Sequence, residues 1–249
     1  MQAILYIGHG TRYIKGVAET YDFIQSVKSS VKVPIQEVAF LEIVTPSIEQ
    51  GVRRCIELGA TKIALVPLLL LTAQHAKVDI PEQLETVQKK YPLVHFTYGE
   101  PFGIHENLLQ TVLQKVAKQN QSIGECDELL LIGRGSSDPT VQKDMEEICA
   151  LLEQQSSFEK VRACYLYGKG LSFEEALVHY SKEKNKQVFI VPYLLFSGLL
   201  SVGIEKKMKE WRQENPQLIL CEKLGYNDNV KKVLLERMKE SLKMEGILV

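Results

Sequence analysis

The sequence lacks the features of several classes of protein. Its longest hydrophobic run, Phe189–Ile204, is interrupted by proline, glycine and serine, and it is shorter than the roughly 20 residues that a membrane-spanning helix needs. No charge of one sign dominates, because 30 Lys+Arg residues face 31 Asp+Glu residues and leave a net charge of −1. Binding to nucleic acid or to anionic membranes through overall charge is therefore not indicated.

Cysteine is sparse and widely spaced. The five cysteines include no Cys-x-x-Cys pair, so neither a zinc knuckle nor a disulfide framework is predicted. The first residues lack the basic start and long apolar core of a signal peptide. We therefore expect a cytoplasmic protein without a membrane or nucleic-acid partner. The 249 residues, 45% hydrophobic and 24% charged, fit one large globular domain or two smaller ones.

Short apolar segments alternate with amphipathic ones throughout the chain, and several are apolar at consecutive positions, as in strands buried on both faces. The predicted strands are Ala3–Gly8, Pro34–Leu41, Lys62–Leu71, Val94–Tyr98, Glu128–Gly133, Val161–Tyr167, Gln187–Phe196 and Gln217–Cys221. Thr45-Pro46 predicts a proline at a first helical position, Asp79 to Glu82 has the spacing of a capping box, and Asp138-Pro139 predicts a further helix start. Eight strands alternating with eight helices predict an α/β fold with parallel sheets.

The chain also repeats itself. Ile7–Thr11 resembles Ile132–Ser136, and Val66–Leu69 resembles Val191–Leu194. Both pairs are separated by 125 positions, with no insertion between the two matches. We therefore predict two tandem copies of a four-strand βα unit, residues 1–120 and 121–249, joined by the polar segment Gln119–Glu125.

Polar side chains follow three strands of the first copy. His9 comes directly after the first strand, Glu42 closes the second, and His75 follows the third. Open parallel sheets bind ligands at the carboxyl ends of their strands, so we expect these three groups at one edge. The positions 125 residues further on are Arg134, Tyr167 and Leu200. This difference places the function in the first copy, although sequence drift would also produce it.

Two imidazoles and a carboxylate suit a divalent first-row metal. So few ligands leave coordination positions open, which favours a metal that is bound and then released. Glu42 could instead act as a base that removes protons from N–H groups. Each residue also has a purely structural interpretation, as a hydrogen-bonded loop histidine or a solvated acid. His105 is predicted to cap a helix, and Arg134 either contacts an anionic ligand or fixes its turn.

The motifs as a set resemble the class II chelatases. The resemblance is carried by Gly8–Thr11, by Phe40–Glu42 with Pro46–Ile48 after it, and by Val66–His75. In the second copy it continues through Gly133–Pro139 and Val191–Phe196. It covers essentially the whole chain and is strongest toward the sirohydrochlorin ferrochelatases and their cobaltochelatase relatives.

The resemblance implies a lyase of siroheme biosynthesis, built from two tandem flavodoxin-like halves, that inserts a divalent metal into the tetrapyrrole sirohydrochlorin. Fe²⁺ is the expected metal, with Co²⁺ or Ni²⁺ as alternatives, and no cofactor beyond this substrate metal is expected. His9 and His75 would be metal ligands, and His9 and Glu42 the catalytic groups. The substrate-binding residues would be Glu42, Leu70, Leu71, Thr72, Ala73 and Gln74. We expect a monomer in which Leu68–Leu71 and Tyr193–Phe196 form an apolar slot.

The residues leave three other interpretations open. The first is a cobaltochelatase of cobalamin synthesis. The second is a metal or tetrapyrrole carrier, which would bind without accelerating insertion. The third is a histidine phosphatase, whose first strand also ends in a His-Gly pair; that chemistry needs an arginine beside the histidine to hold phosphate, whereas Gly8 precedes His9 here.

Overall fold

The computed structural model describes residues 1–72 and 75–244, with the backbone alone at His75. Strands and helices alternate as the sequence predicts. The strands are β1 Gln2–Gly8, β2 Ile35–Phe40, β3 Lys62–Pro67, β4 His95–Tyr98, β5 Glu128–Gly133, β6 Lys160–Tyr165, β7 Val188–Pro192 and β8 Leu218–Leu220. The helices are α1 Ile14–Lys28, α2 Ile48–Glu57, α3 Ile80–Lys90, α4 Glu106–Ala117, α5 Pro139–Gln155, α6 Phe173–Tyr180, α7 Leu199–Trp211 and α8 Asp228–Lys243. A π-helical turn, His75–Asp79, leads into α3.

The strands form two parallel four-stranded sheets. Their orders are β2-β1-β3-β4 and β6-β5-β7-β8, the order of the flavodoxin-like fold. The central strands β1 and β5 are buried along nearly their whole length, as their continuous apolar sequences predict. The α/β fold with two similar halves is thereby confirmed.

The strands pair in the same register within each of the two sheets. Gly8 lies opposite Phe40 in the first sheet, and Gly133 lies opposite Tyr165 in the second. Ile7 pairs with Pro67 in the same way as Ile132 pairs with Pro192. Each of these pairs is reproduced 125 positions later, so the repeat in the sequence is also a repeat of backbone geometry.

Two predicted strands were too long. The runs Lys62–Leu71 and Gln187–Phe196 leave the sheet at Pro67 and Pro192, where β3 and β7 end. Proline has no N–H to donate to the ladder, so a strand tends to end there whatever the hydrophobicity of the residues that follow.

Of the three helix starts predicted from the sequence, one agrees with the structure. Asp138 caps α5 by accepting from the Thr140 N–H, as predicted. The prediction at Thr45-Pro46 was wrong, because α2 begins two residues later and is capped by a reciprocal pair between Ser47 and Gln50. The prediction of a capping box at Asp79 was also wrong. That residue ends the π-helical turn in helical conformation and its side chain makes no cap hydrogen bond.

The compact units of the fold differ from the halves of the repeat. One unit consists of Met1–Gly103 together with the chain from Lys231 on, and the other of Ile104–Val230. In the second unit, α4 packs against α5 and β7. In the first unit, the Tyr6 hydroxyl contacts the sulfur of Met238 in α8 at 3.8 Å. The last helix of each repeat thus lies largely in the unit built from the other repeat.

Each unit has an apolar core around its sheet. In the first, β1 residues pack with buried positions of α2 and α3; in the second, β5 residues pack with α6 and α7. None of the described helices combines the length and apolar character needed to cross a bilayer.

Candidate active site

Two of the expected residues lie side by side because β1 and β2 continue to pair beyond their ends. The Leu41 N–H donates to the Gly8 carbonyl at 2.9 Å, and the Glu42 N–H donates to the His9 carbonyl at 3.2 Å. This continuation of the parallel ladder sets the side chains of His9 and Glu42 next to each other at the carboxyl edge. The sequence-based pairing of these two groups therefore agrees with the structure.

Gly10 makes this close approach possible. Its φ is +94°, and a Cβ at this position would lie 2.0 Å from the carbonyl oxygen of Glu42. Any other residue would force the two loops apart, and the left-handed conformation would add strain. The glycine after the histidine is therefore required by the contact with Glu42.

The His9 ring lies between an acceptor and a carboxylate. Its Nδ1 is 3.1 Å from the Gly10 carbonyl oxygen, and its Nε2 is 3.5 Å from the Glu42 Oε1. A carbonyl only accepts, so a hydrogen bond there requires the proton on Nδ1. In the neutral ring, the Nε2 lone pair then faces the carboxylate, and both groups could bind a cation placed between them.

The distance also suits a metal ion. Ligand bonds of about 2.0–2.2 Å at tetrahedral angles place neighbouring nitrogen and oxygen ligands roughly 3.4 Å apart, close to the observed 3.5 Å. A histidine ligand commonly donates its other N–H to a carbonyl, which fixes the ring, and Gly10 supplies that carbonyl. The side chains of His9 and Glu42 are 29% and 47% exposed, so a ligand from solvent can reach them.

Fewer of the expected site residues after the third predicted strand are among the described residues. The backbone of His75 opens the π-helical turn, while its side chain and residues Ala73 and Gln74 lie outside the described residues. Leu70, Leu71 and Thr72 are half-buried, and the Leu70 carbonyl accepts from the Gly103 N–H at 2.8 Å. Within the described part of the chain, no group of three or more His, Cys, Asp or Glu side chains is arranged to hold a metal.

The expected apolar slot needs correction. Leu68, Tyr193 and Leu195 are buried in the cores of their units, so they have no surface to offer to a flat ligand. They belong to the core because the chain stays against the sheet after the prolines, where the Leu68 N–H still bonds the Ile7 carbonyl.

Sequence reasoning missed three exposed apolar side chains in the segments that follow the strands of the first copy. They follow β1, β2 and β3 in turn and are Ile14, Ile43 and Val78. Large exposed apolar residues beside a ligand-binding edge commonly mark a contact surface.

The second copy has the same backbone with other side chains. The Leu166 N–H bonds the Gly133 carbonyl, and the Tyr167 N–H bonds the Arg134 carbonyl, at 3.1 Å each. Arg134 and Tyr167 thus occupy the places of His9 and Glu42, and both are exposed. Ser136, two residues on, accepts from the Asp138 N–H at 3.0 Å and so helps to shape the turn before α5.

The cysteines show no sign of metal binding. All five are free, and four are buried. Burial raises the pKa of the Cys55 thiol and of the Cys149 thiol to about 12, and a protonated thiol is a poor metal ligand. The imidazole and carboxylate of the first copy are therefore the better candidates.

Comparison with known proteins identifies the family to which the chain belongs. The sequence profile of the CbiX family matches residues 3–119 and again residues 128–241. The chain is 43% identical to the sirohydrochlorin ferrochelatase of Priestia megaterium over 246 residues, covering 99% of this chain and 92% of that protein. It is 32% identical to the sirohydrochlorin cobaltochelatase of the same bacterium over 251 residues, covering 98% and 81%.

A solved structure is similar over almost the whole fold. SirB from Bacillus subtilis with Fe³⁺ has a TM-score of 0.89 and 40% sequence identity, and the match covers 97% of this chain and 96% of that one. The family profile matches twice, in agreement with the repeat. On these grounds the chain belongs to the CbiX family, as its chelatase motifs indicate.

Proposed function

We propose that this protein is a sirohydrochlorin ferrochelatase, which inserts Fe²⁺ into sirohydrochlorin to form siroheme. The observation that carries the proposal is the His9–Glu42 pair. Its nitrogen and oxygen lie 3.5 Å apart at an open sheet edge, in a chain that is 43% identical to a protein with this name.

The chemistry needs a metal ligand and a proton acceptor at one place. Insertion of a divalent ion replaces two N–H protons of the tetrapyrrole, so each proton must have somewhere to go. In our proposal, Nε2 of His9 holds the metal, while the carboxylate of Glu42 takes up ring protons and passes them to solvent. The partial exposure of both side chains gives the metal and the protons a path.

The remaining roles follow from the resemblance. His75 would be the second metal ligand, in a π-helical turn of the kind often found at functional sites. The segment from Leu70 to Gln74 would contact the tetrapyrrole. The metal enters as substrate, and the proposal includes no further cofactor. We propose that the first half of the repeat carries the metal site, and that the protein works as a cytoplasmic monomer without nucleic-acid or membrane partners.

Cobalt insertion is the second candidate. The same ligands accept Fe²⁺ and Co²⁺, so the site alone does not separate them. The difference in similarity favours iron, since the chain is 43% identical to the ferrochelatase of Priestia megaterium and 32% identical to the cobaltochelatase of that organism.

The test is an anaerobic insertion assay followed by absorbance. The purified protein is mixed with sirohydrochlorin and Fe²⁺ or Co²⁺, beside a protein-free control. We expect accelerated insertion that falls at least 100-fold in His9→Ala and in His75→Ala, and less than fivefold in Arg134→Ala, the matched position of the second copy. If the protein binds the tetrapyrrole tightly but insertion proceeds at the protein-free rate, the protein is a carrier and not an enzyme. Equal losses in all three variants would contradict a metal site in the first half alone.

A further inference from the structure

The residue after Glu42 has a rare backbone conformation. Ile43 has a φ of +71°, and the Val44 N–H donates to the Glu42 carbonyl across it at 2.8 Å. This is a γ-turn with positive φ at its centre, which is uncommon and strained. A β-branched residue at positive φ is an outlier even among non-glycine residues.

The second copy also has a positive φ at the matched position, but on a glycine. The position 125 residues later is Gly168, with a φ of +84°, and glycine adopts this conformation without strain. A Cβ on Gly168 would lie 2.5 Å from the Ser136 carbonyl oxygen, so that loop has no room for a side chain. The first copy has a positive φ at the matched position, yet it makes room for a branched side chain.

The side chain of Ile43 does little for the fold. It is 54% exposed, so it contributes only part of its surface to packing. Strained residues persist where the surrounding structure holds them in place, and they concentrate at functional sites. The exposed apolar group follows directly after the carboxylate that lies 3.5 Å from His9.

We infer that Ile43 is a substrate-contacting residue, an inference that rests on the proposed function. A metal can enter a flat tetrapyrrole only if one face of the ring lies over the metal ligands. The Ile43 side chain would pack against that face and hold the ring over His9 and Glu42. Ile14 and Val78 are exposed apolar residues of the segments that follow β1 and β3.

The test replaces Ile43 by the residue of the other copy. Ile43→Gly keeps the turn and removes the side chain, so its effect separates contact from backbone geometry. We expect the Kd for metal-free sirohydrochlorin and the KM for insertion to rise about tenfold, as the loss of an apolar contact of this size predicts. We expect kcat within twofold of the wild type, unchanged Co²⁺ binding without tetrapyrrole, and a urea midpoint that is equal or higher.

Two variants serve as controls. Ile43→Val retains a branched side chain and should remain within threefold of the wild type. Asn120→Gly relaxes the other described non-glycine residue with positive φ, just after the end of α4, and should change neither Kd nor KM.

Three outcomes would overturn the inference. An unchanged Kd in Ile43→Gly excludes the contact. A lower kcat with an altered pH profile and unchanged KM would show that Ile43 acts through the position of Glu42. A wild type that binds no sirohydrochlorin excludes the contact and the proposed function together. If the wild type binds the tetrapyrrole through Ile43 without accelerating insertion, the proposed function fails and the contact stands.

Discussion

The carboxyl edges of the two sheets have matching backbone hydrogen bonds but different side chains. In the first sheet the ladder beyond the strands joins His9 to Glu42, and in the second it joins Arg134 to Tyr167. The glycines that permit these contacts, Gly10 and Gly135, have φ values of +94° and +87°. The shape of the edge is thus a property of the fold, while the chemistry depends on which side chains are placed there.

The largest effect we expect concerns the shared backbone. Gly10→Ala and Gly135→Ala should each lower the free energy of unfolding by more than about 3 kcal/mol. The reason is that the added Cβ would lie 2.0 Å and 1.8 Å, respectively, from a carbonyl oxygen of the facing loop. Urea denaturation of both variants measures this. If only one variant is destabilised, the two edges are not equivalent.

The next prediction separates the two edges by chemistry. Glu42→Gln should lower the insertion rate about 100-fold, because an amide of the same size cannot accept the ring protons. Tyr167→Phe, at the matched position of the second copy, should leave the rate within twofold. Steady-state kinetics between pH 6 and pH 9 provide the measurement. A Glu42→Gln variant with normal kcat and a raised KM would assign this residue to substrate binding alone.

The amino edges of the sheets also differ, and there the second copy carries the charged side chain. Glu128 at the start of β5 has a side chain only 5% exposed, 2.7 Å from the Lys186 Nζ, and it accepts from the Tyr180 hydroxyl at 2.7 Å. The matched position of the first copy is Ala3. Burial would raise the pKa of Glu128, but the hydrogen bonds from Lys186 and Tyr180 outweigh it and lower the pKa below its ordinary value of 4.5.

Because of this carboxylate, the free energy of unfolding should depend on pH in the acidic range. A folded pKa below the unfolded one stabilises the protein above about pH 4.5, and the contribution is lost as the pH falls through the folded pKa. Lys186→Met should therefore lower the free energy of unfolding at pH 7 by about 2 kcal/mol, because it leaves the buried carboxylate with only the more distant Arg162, whose Nε is 3.5 Å from Glu128 Oε2. The difference from the wild type should shrink below pH 4.

The control for this prediction is an exposed ion pair in the same unit. Lys207 contacts Glu174 with side chains 33% and 59% exposed, and Lys207→Met should change stability by less than about 1 kcal/mol. Equal losses in Lys186→Met and Lys207→Met at pH 7 would mean that burial of Glu128 contributes nothing.

The sequence predicted the fold and the repeat because hydrophobic pattern and spacing determine both. It also predicted that His105 caps a helix, and its Nδ1 accepts from the Asn107 N–H at 3.1 Å. Strand ends were harder to predict, since the apolar residues after Pro67 and Pro192, of which Leu68, Tyr193 and Leu195 are buried, do not belong to strands. The π-helical turn at His75–Asp79 has no signal in local sequence, and Asp79 there resembles an ordinary cap.

At the site, the positions after the strands predicted that His9 and Glu42 lie at one edge, because the carboxyl ends of parallel strands share an edge. The orientation of the two side chains depends on the conformation of Gly10 and on the hydrogen bond to its carbonyl. The sequence shows neither of these. The left-handed conformation of Ile43 could have been found by aligning the copies, since Gly168 occupies the matched position. Without that comparison, an isoleucine gives no hint of positive φ.

The packing of α8 also sets an order of events during synthesis. Tyr6 and Met238, which touch in the first unit, are 232 positions apart in the chain, whereas Ile104–Val230 forms the other unit from one continuous segment. At about 5–20 residues per second, a ribosome needs roughly 10–50 s to deliver the C-terminal helix after the first strand. The unit that carries His9 is therefore the first to begin synthesis and the last to be completed.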